Sequence, residues 1–103
     1  MKVFRPRDFT GEKAWAALPV AAFGETGVRL HWTDQPYIWH VNDGQEVFVV
    51  LDGEVDMKVR IAGREETHRL TRGDVFHAEQ GDEHVAHPVG AARVLVIERI
   101  GSV

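Results

Sequence analysis

Alternating hydrophobic and polar residues mark this chain as a series of β-strands. The clearest case is the segment 54–61, where Val, Met and Ile occupy every second position and charged residues stand between them. Successive side chains of a strand point to opposite faces, so this pattern predicts a strand with one dry face and one solvated face. After a turn at 62–64, residues 65–70 are expected to return as the hairpin partner.

Further short strands are predicted by β-branched and aromatic runs between turn signals. They are expected at 20–23, 28–32, 37–41, 46–51, 75–78, 84–87 and 91–100. Turns are predicted at Asp52-Gly53 and at 88–90, and one or two helical turns at 11–18, ended by Pro19. Many short strands and almost no helix indicate an all-β fold, an antiparallel sandwich or barrel.

Length and composition are those of one globular domain. The chain has 103 residues, of which 44% are hydrophobic and 27% charged. We expect residues 1–26 to form an N-terminal arm with a short strand, and residues 27–103 to form the barrel.

The charge balance and the missing cysteines exclude several classes of function. A net charge of −4 argues against broad nucleic-acid binding, which needs a concentrated positive field. Disulfides and cysteine-based zinc sites are excluded because there is no cysteine, which fits a cytoplasmic protein. No signal-peptide pattern and no run near the roughly 20 apolar residues of a membrane span is found, so we expect no membrane partner.

Candidate chemistry is concentrated around one turn. His40 and Asn42 share a strand face, and the Asp43-Gly44 turn can bring Glu46 back toward the same space. Imidazole nitrogens and carboxylate oxygens bind divalent transition ions at roughly 2.0–2.2 Å. The stretch therefore indicates a metal or ligand pocket, and the alternative is an Asx-type turn with a solvated carboxylate.

Two motifs in the chain resemble those of the cupin family. The first motif is G-x5-H-x-H-x3,4-E-x6-G. His40, Asn42, Glu46 and Gly53 fall on its spacing, with asparagine in place of the second histidine and no glycine at the opening position. The second, G-x5-P-x-G-x2-H-x3-N, is matched by Gly73, Gly81 and His84, with Glu79 in place of the proline and Pro88 in place of the asparagine. The two motifs lie in order within residues 40 to 88, and one predicted hairpin separates them.

The resemblance implies a small single-domain cupin of the RmlC-like type. Its fold would be a double-stranded β-helix, or jelly roll, whose two sheets enclose a pocket. Carried over to this sequence, the metal ligands would be His40, Glu46 and His84, holding iron, manganese, nickel, copper or zinc. Asn42 stands where a histidine ligand is expected, and its amide oxygen is a weaker ligand than imidazole. Two histidines and one carboxylate still complete a facial triad, and the alternative is a metal-free cavity.

Four further residues are candidates for the pocket. Phe48 and Val50 share the parity of Glu46 and are expected to form its apolar wall. His31 lies on a strand that would line the barrel, and His77 precedes the second motif, where a structural role is the alternative. By the same parity rule, Tyr37 and Trp39 are expected to face away from His40.

Three kinds of function fit these features. The first is a metal-dependent enzyme acting on a small molecule, of the oxygenase or isomerase type. The second is a metal-free cupin that binds or senses a small molecule without catalysis, and the third is a structural partner for another protein. Small cupins are commonly homodimers, so we expect a homodimer in which the aromatic N-terminal arm (Phe4, Phe9 and Trp15) packs across the interface.

Overall fold

The computed structural model describes residues 1–102 and consists almost entirely of antiparallel strands. A short 3-10 turn at Pro6–Asp8 precedes the strands. The described residues form seven strands, β1 (Ala16–Phe23), β2 (Thr26–Thr33), β3 (His40–Val41), β4 (Glu46–Ile61), β5 (Arg64–Leu70), β6 (Val75–Ala78) and β7 (Glu83–Arg99). No helix in this part of the chain is long and apolar enough to cross a membrane.

The long strands β4 and β7 organise the fold because they pair twice. Residues 46–50 pair with 94–98, and residues 54–60 pair with 83–89. Around the first pairing lie β1, β2 and β6, and around the second lie β3 and β5. The sheet thus doubles over into the predicted jelly roll, and the apolar core includes side chains from both halves of β4.

A bulge in the middle of β4 replaces the turn predicted at Asp52-Gly53. The register of β4 against β7 shifts on both sides of Asp52, while the strand itself continues. Gly53 has φ +78°, and a Cβ at this position would collide with the carbonyl oxygen of Ala91. The turn prediction was wrong because a bulge uses the same glycine chemistry as a turn.

Two other predicted breaks are also absent. The turn predicted at 88–90 lies inside β7, so the strands expected at 84–87 and 91–100 are one strand. The helical turns predicted at 11–18 are wrong, because β1 starts at Ala16 and runs through Pro19. Proline is tolerated there because β1 is an edge strand and its register shifts beside Pro19.

The N-terminal arm is fixed to the barrel of its own chain through Arg93. The guanidinium group donates to the carbonyl oxygen of Phe9 at 2.7 Å and to the hydroxyl of Thr10 at 3.1 Å. It also pairs with Asp52 at 2.6 Å. These bonds hold the arm beside the bulge of β4.

Candidate metal centre and ligand pocket

Two histidines and a glutamate meet at one end of the barrel. His40, Glu46 and His84 each offer a ligand atom, and these atoms lie within 4.8 Å of one another. Pairing of β3 with β7 sets His40 opposite His84, with ring centroids 4.5 Å apart. Glu46 begins β4 in the other half of the doubled sheet, so the cluster bridges the two halves. Glu46 and His84 are buried, with 8% and 2% of their surface exposed.

Hydrogen bonds fix which nitrogen of the His84 ring carries the hydrogen. Its Nε2 lies 2.7 Å from Oδ1 of Asn42 and 3.2 Å from Oε1 of Glu46. Both oxygens are acceptors, so Nε2 carries the hydrogen and donates it. The amide nitrogen of Asn42 donates to the carbonyl of Gly44 at 3.3 Å, which turns the amide oxygen toward His84. Nδ1 of His84 is buried and has no partner among the described residues.

His40 is oriented by the backbone of the segment before β3. Its Nδ1 lies 3.0 Å from the carbonyl oxygen of Ile38, so Nδ1 is the donor. Nε2 therefore keeps its lone pair, which is the form of imidazole that binds a metal. The ring of Tyr37 packs edge-on against His40 at 5.5 Å and limits its rotation.

The residues present fit a divalent transition ion. Two imidazoles and one carboxylate are a donor set used by non-haem iron and zinc sites. His84 would coordinate through Nε2 after giving up the hydrogen that it now donates to Asn42, and its unpartnered Nδ1 is free to take a proton. Asn42 thus orients the ring of His84 while no ion occupies Nε2.

A cavity of about 250 Å³ opens beside this cluster. Six of its lining residues are aromatic or apolar: Trp15, Ala17, Tyr37, Phe48, Ala86 and Val96. Besides the three cluster residues, the polar ones are Arg29, His31, Glu98 and Ser102. Edge-on contacts link Trp15 to Tyr37 and to His31, at 5.2 and 5.9 Å, so these rings form one packed surface. This combination of apolar wall and few polar groups is typical of small-molecule sites.

An ion pair lines the cavity near Glu46. Nη2 of Arg29 donates to Oε1 of Glu98 at 3.1 Å. Burial, together with the nearby charge of Glu46, raises the pKa of Glu98 to about 7, and Arg29 opposes this shift. Burial also lowers the pKa of His31, whose Nδ1 lies 3.3 Å from the carbonyl oxygen of Trp15. The pKa of Glu98 therefore lies near neutral pH, where His31 is neutral.

The structure brings most of the sequence candidates together. His40, Asn42, Glu46 and His84 form the contacts described above, and His31 and Phe48 line the cavity. Two candidates lie elsewhere.

Val50 is fully buried in the hydrophobic core and does not reach the cavity. His77 is exposed and bonds Oε1 of Gln45 at 2.9 Å, because it pairs with Val47, which faces away from the side chain of Glu46. These two residues are not part of the pocket wall.

The sequence interpretation missed several residues that line the cavity. Tyr37 was expected to face away from His40, but residues 36–39 are not a regular strand and the parity rule does not apply to them. The backbone N–H of Tyr37 bonds the carbonyl of Ala86 at 3.0 Å, which holds the ring over the cavity. Arg29 lies two residues before the candidate His31, so both side chains project from the same face of β2, and this shared parity was the sign in the sequence that Arg29 lines the cavity. Glu98 becomes recognisable only through its register with Glu46 across β4 and β7.

The jelly-roll fold and the His/Glu/His cluster define the class of protein as a cupin-type barrel with a candidate metal centre. The family comparison agrees, since residues 30–98 match the family described as Cupin domain. The chain therefore belongs to the cupin family. No curated protein gives a significant match to the chain.

Solved structures of similar fold include proteins of named and unnamed function. A cupin-2 domain containing protein from Shewanella frigidimarina is 21% identical, with 86% of this chain and 84% of that chain covered at a TM-score of 0.76. The protein TT1209 from Thermus thermophilus is 23% identical, covering 96% and 97% at a TM-score of 0.76. Hydroxypropylphosphonic acid epoxidase from S. wedmorenis is 14% identical, covering 95% and 59% at a TM-score of 0.73. At these identities the similarity shows the fold alone.

Proposed function

We propose that this cupin binds one divalent transition-metal ion through His40, Glu46 and His84 and acts on a small molecule in the adjoining cavity. The observation that carries the proposal is the convergence of three ligand atoms within 4.8 Å at the cavity wall. The chemistry of the donor set fits iron, manganese, nickel, copper or zinc. When bound, such an ion supplies Lewis-acid polarisation or oxygen activation, as oxygenases and isomerases require.

The chain's own residues orient the two histidines and form an apolar wall of the cavity. The Ile38 carbonyl fixes the tautomer of His40, and Asn42 holds the ring of His84 until an ion replaces the hydrogen on Nε2. Phe48 and Tyr37 present apolar surface to a ligand and keep water from its reactive end. Glu98, whose pKa is raised to about 7, lies opposite Glu46 in the register of β4 and β7 and lines the same cavity.

A metal-free binding protein is the second candidate, and one contact favours it. The 2.7 Å bond to Asn42 occupies Nε2 of His84, the nitrogen that would otherwise coordinate the ion. In this alternative, the bond serves to close the end of a cavity for an organic ligand.

Metal content tests the proposal. Untagged protein is purified without chelator, exchanged with each candidate ion and assayed by plasma mass spectrometry beside His84→Ala and Glu46→Gln. We expect about one equivalent in the native protein and its loss in both variants. His77→Ala is the matched control, because it removes an imidazole on β6 that lies outside the cavity, and it should keep the ion.

The same experiment identifies the outcome that contradicts the proposal. No bound metal in any of the proteins, even with excess ion, would exclude the metal centre. Stabilisation by small organic molecules without metal would then support the binding protein, since a ligand that binds only the folded state raises apparent stability.

The proposal includes a homodimer in the cytoplasm. Light scattering after size-exclusion chromatography tests the oligomeric state, and a mass near the 11.6 kDa of one chain would contradict it.

A further inference from the structure

The cavity wall holds a positively charged group near the metal cluster, because Arg29 pairs with Glu98, the register partner of Glu46. Arg29 is the one lysine or arginine among the described residues that line it. It projects from β2, whereas the three metal-cluster residues lie on β3, β4 and β7. The cavity therefore has two groups that attract negative charge or lone pairs, the candidate ion and the Arg29 guanidinium, and aromatic rings line the same cavity.

Arg29 is positioned by a single ion pair and keeps donors free. One N–H bonds Glu98 at 3.1 Å, and the described residues offer no acceptor to the other guanidinium N–H groups. The side chain of Arg29 is 39% exposed, whereas that of Glu98 is 8% exposed. The buried carboxylate therefore positions the arginine and leaves part of its side chain exposed. A guanidinium group held in this way can form paired hydrogen bonds to a carboxylate.

The charge balance of the cavity favours an anion. Among the described residues, Glu46 and Glu98 are its two carboxylates, and Arg29 together with a divalent ion outweighs them. A neutral ligand would leave the free donors of Arg29 to water, whereas an anionic one would pair with them. The volume of about 250 Å³ is below the roughly 300–1,000 Å³ of pockets for drug-sized ligands, so the ligand is small.

We propose that this cavity selects a small carboxylic acid in its anionic form, with the carboxylate on Arg29 and an apolar body against Tyr37, Phe48 and Trp15. This inference rests on the proposed function for the role of the ion, and it names the substrate class of that same site. Arg29 acts as the specificity-determining residue, and Glu98 acts as the residue that positions it.

Binding of matched acids and amides tests the inference. The probes are acetate, benzoate and phenylacetate, each beside acetamide, benzamide or phenylacetamide, followed by shifts of backbone amide signals in NMR spectra. They are measured on zinc-loaded protein and on protein kept in chelator. We expect at least one acid to bind at least tenfold more tightly than its amide, since a charge-assisted hydrogen bond is about twice as strong as a neutral one.

Variants of Arg29 test whether this residue causes the preference for acids over amides. Arg29→Gln should lose about tenfold or more in affinity for the acid, with the affinity for the amide unchanged, and Arg29→Lys should restore part of it. The double variant Arg29→Gln with Glu98→Gln removes both partners of the ion pair, so it separates lost recognition from an unpaired buried carboxylate. Arg60→Gln is the matched control, because Arg60 forms a similar pair at 2.9 Å with Glu83 and lies outside the cavity.

Failure of this inference is distinguishable from failure of the metal proposal. Protein that binds zinc but prefers no acid, or Arg29→Gln that binds acids as the native protein does, would overturn the assignment of Arg29. Absence of binding by every probe would overturn it as well. An Arg29-dependent acid preference in protein that binds no metal would support this inference and refute the metal centre.

Discussion

Replacement of Glu98 by glutamine should change how the stability of the protein depends on pH. The pKa of Glu98 is raised from 4.5 to about 7, mainly by burial. Between these values the folded state binds more protons than the unfolded state. The free energy of unfolding must therefore fall as pH rises through this window, and Glu98→Gln removes this contribution.

The size of the effect follows from the shift. One pKa unit corresponds to about 1.4 kcal/mol, so a change from 4.5 to about 7 would correspond to roughly 3 kcal/mol for a fully enclosed group. Glu98 lines an open cavity and contacts the partly exposed Arg29, so solvent screening reduces this value. We expect the native protein to lose about 1–2 kcal/mol relative to the variant as pH rises from 4.5 to 8.

Urea unfolding followed by tryptophan fluorescence measures this difference. Both proteins are titrated at half-unit pH steps, at constant ionic strength and in chelator, so that no ion adds charge beside Glu46. The measured quantity is the free energy of unfolding of the native protein minus that of Glu98→Gln. It should be largest near pH 4.5 and lowest above pH 7.

Glu83→Gln is the matched control for this experiment. Glu83 lies on the same strand and pairs with Arg60 at 2.9 Å, but outside the cavity. This control shows how the loss of another arginine-paired carboxylate on β7 changes the free energy of unfolding. A difference for Glu98→Gln that is flat, or that rises with pH, would mean that the Arg29 pair outweighs burial and would refute the reasoning.

Two other substitutions should affect stability through named contacts. Gly53→Ala places a Cβ against the Ala91 carbonyl oxygen at φ +78°. It should lower the free energy of unfolding by about 2 kcal/mol more than Gly90→Ala, because Gly90 has φ +72° but open space around it. Equal urea midpoints for the two variants would contradict the bulge geometry. Asn42→Ala leaves Nε2 of the buried His84 with one acceptor fewer, so unfolding should become about 1–2 kcal/mol easier. Nitrogen-15 NMR should show a changed tautomer balance of His84 in this variant, and an unchanged spectrum would argue against the hydrogen bond.

The fold could be predicted from local pattern, through alternation at 54–61 and through β-branched and aromatic runs between turn signals elsewhere. In the segment 54–61, Val55 and Met57 lie in the core and Val59 packs against it. Glycine and proline misled the prediction at Asp52-Gly53, at 88–90 and at Pro19, because bulges and edge strands use the same residues as turns and helix ends.

The candidate metal cluster was predictable, whereas the ion pair of Arg29 and Glu98 was not. His40, Glu46 and His84 follow a known motif spacing, which carries long-range information that periodicity lacks. Arg29 and Glu98 follow no motif. Arg29 shares the parity of the candidate His31, but Leu30 between them is itself buried, so alternation alone favoured neither face of β2.

The double pairing of β4 and β7 has a consequence for how the protein is made. Residues 83–98 supply a central strand to both halves of the barrel, including the partners of His40 and Glu46. A nascent chain whose residues 83–98 are still inside the ribosome has neither half of the sheet complete and exposes the apolar side of β4. The barrel thus forms only after residues 83–98 have left the ribosome, and its long-range strand pairing makes that step slow compared with the folding of a helical domain of the same size.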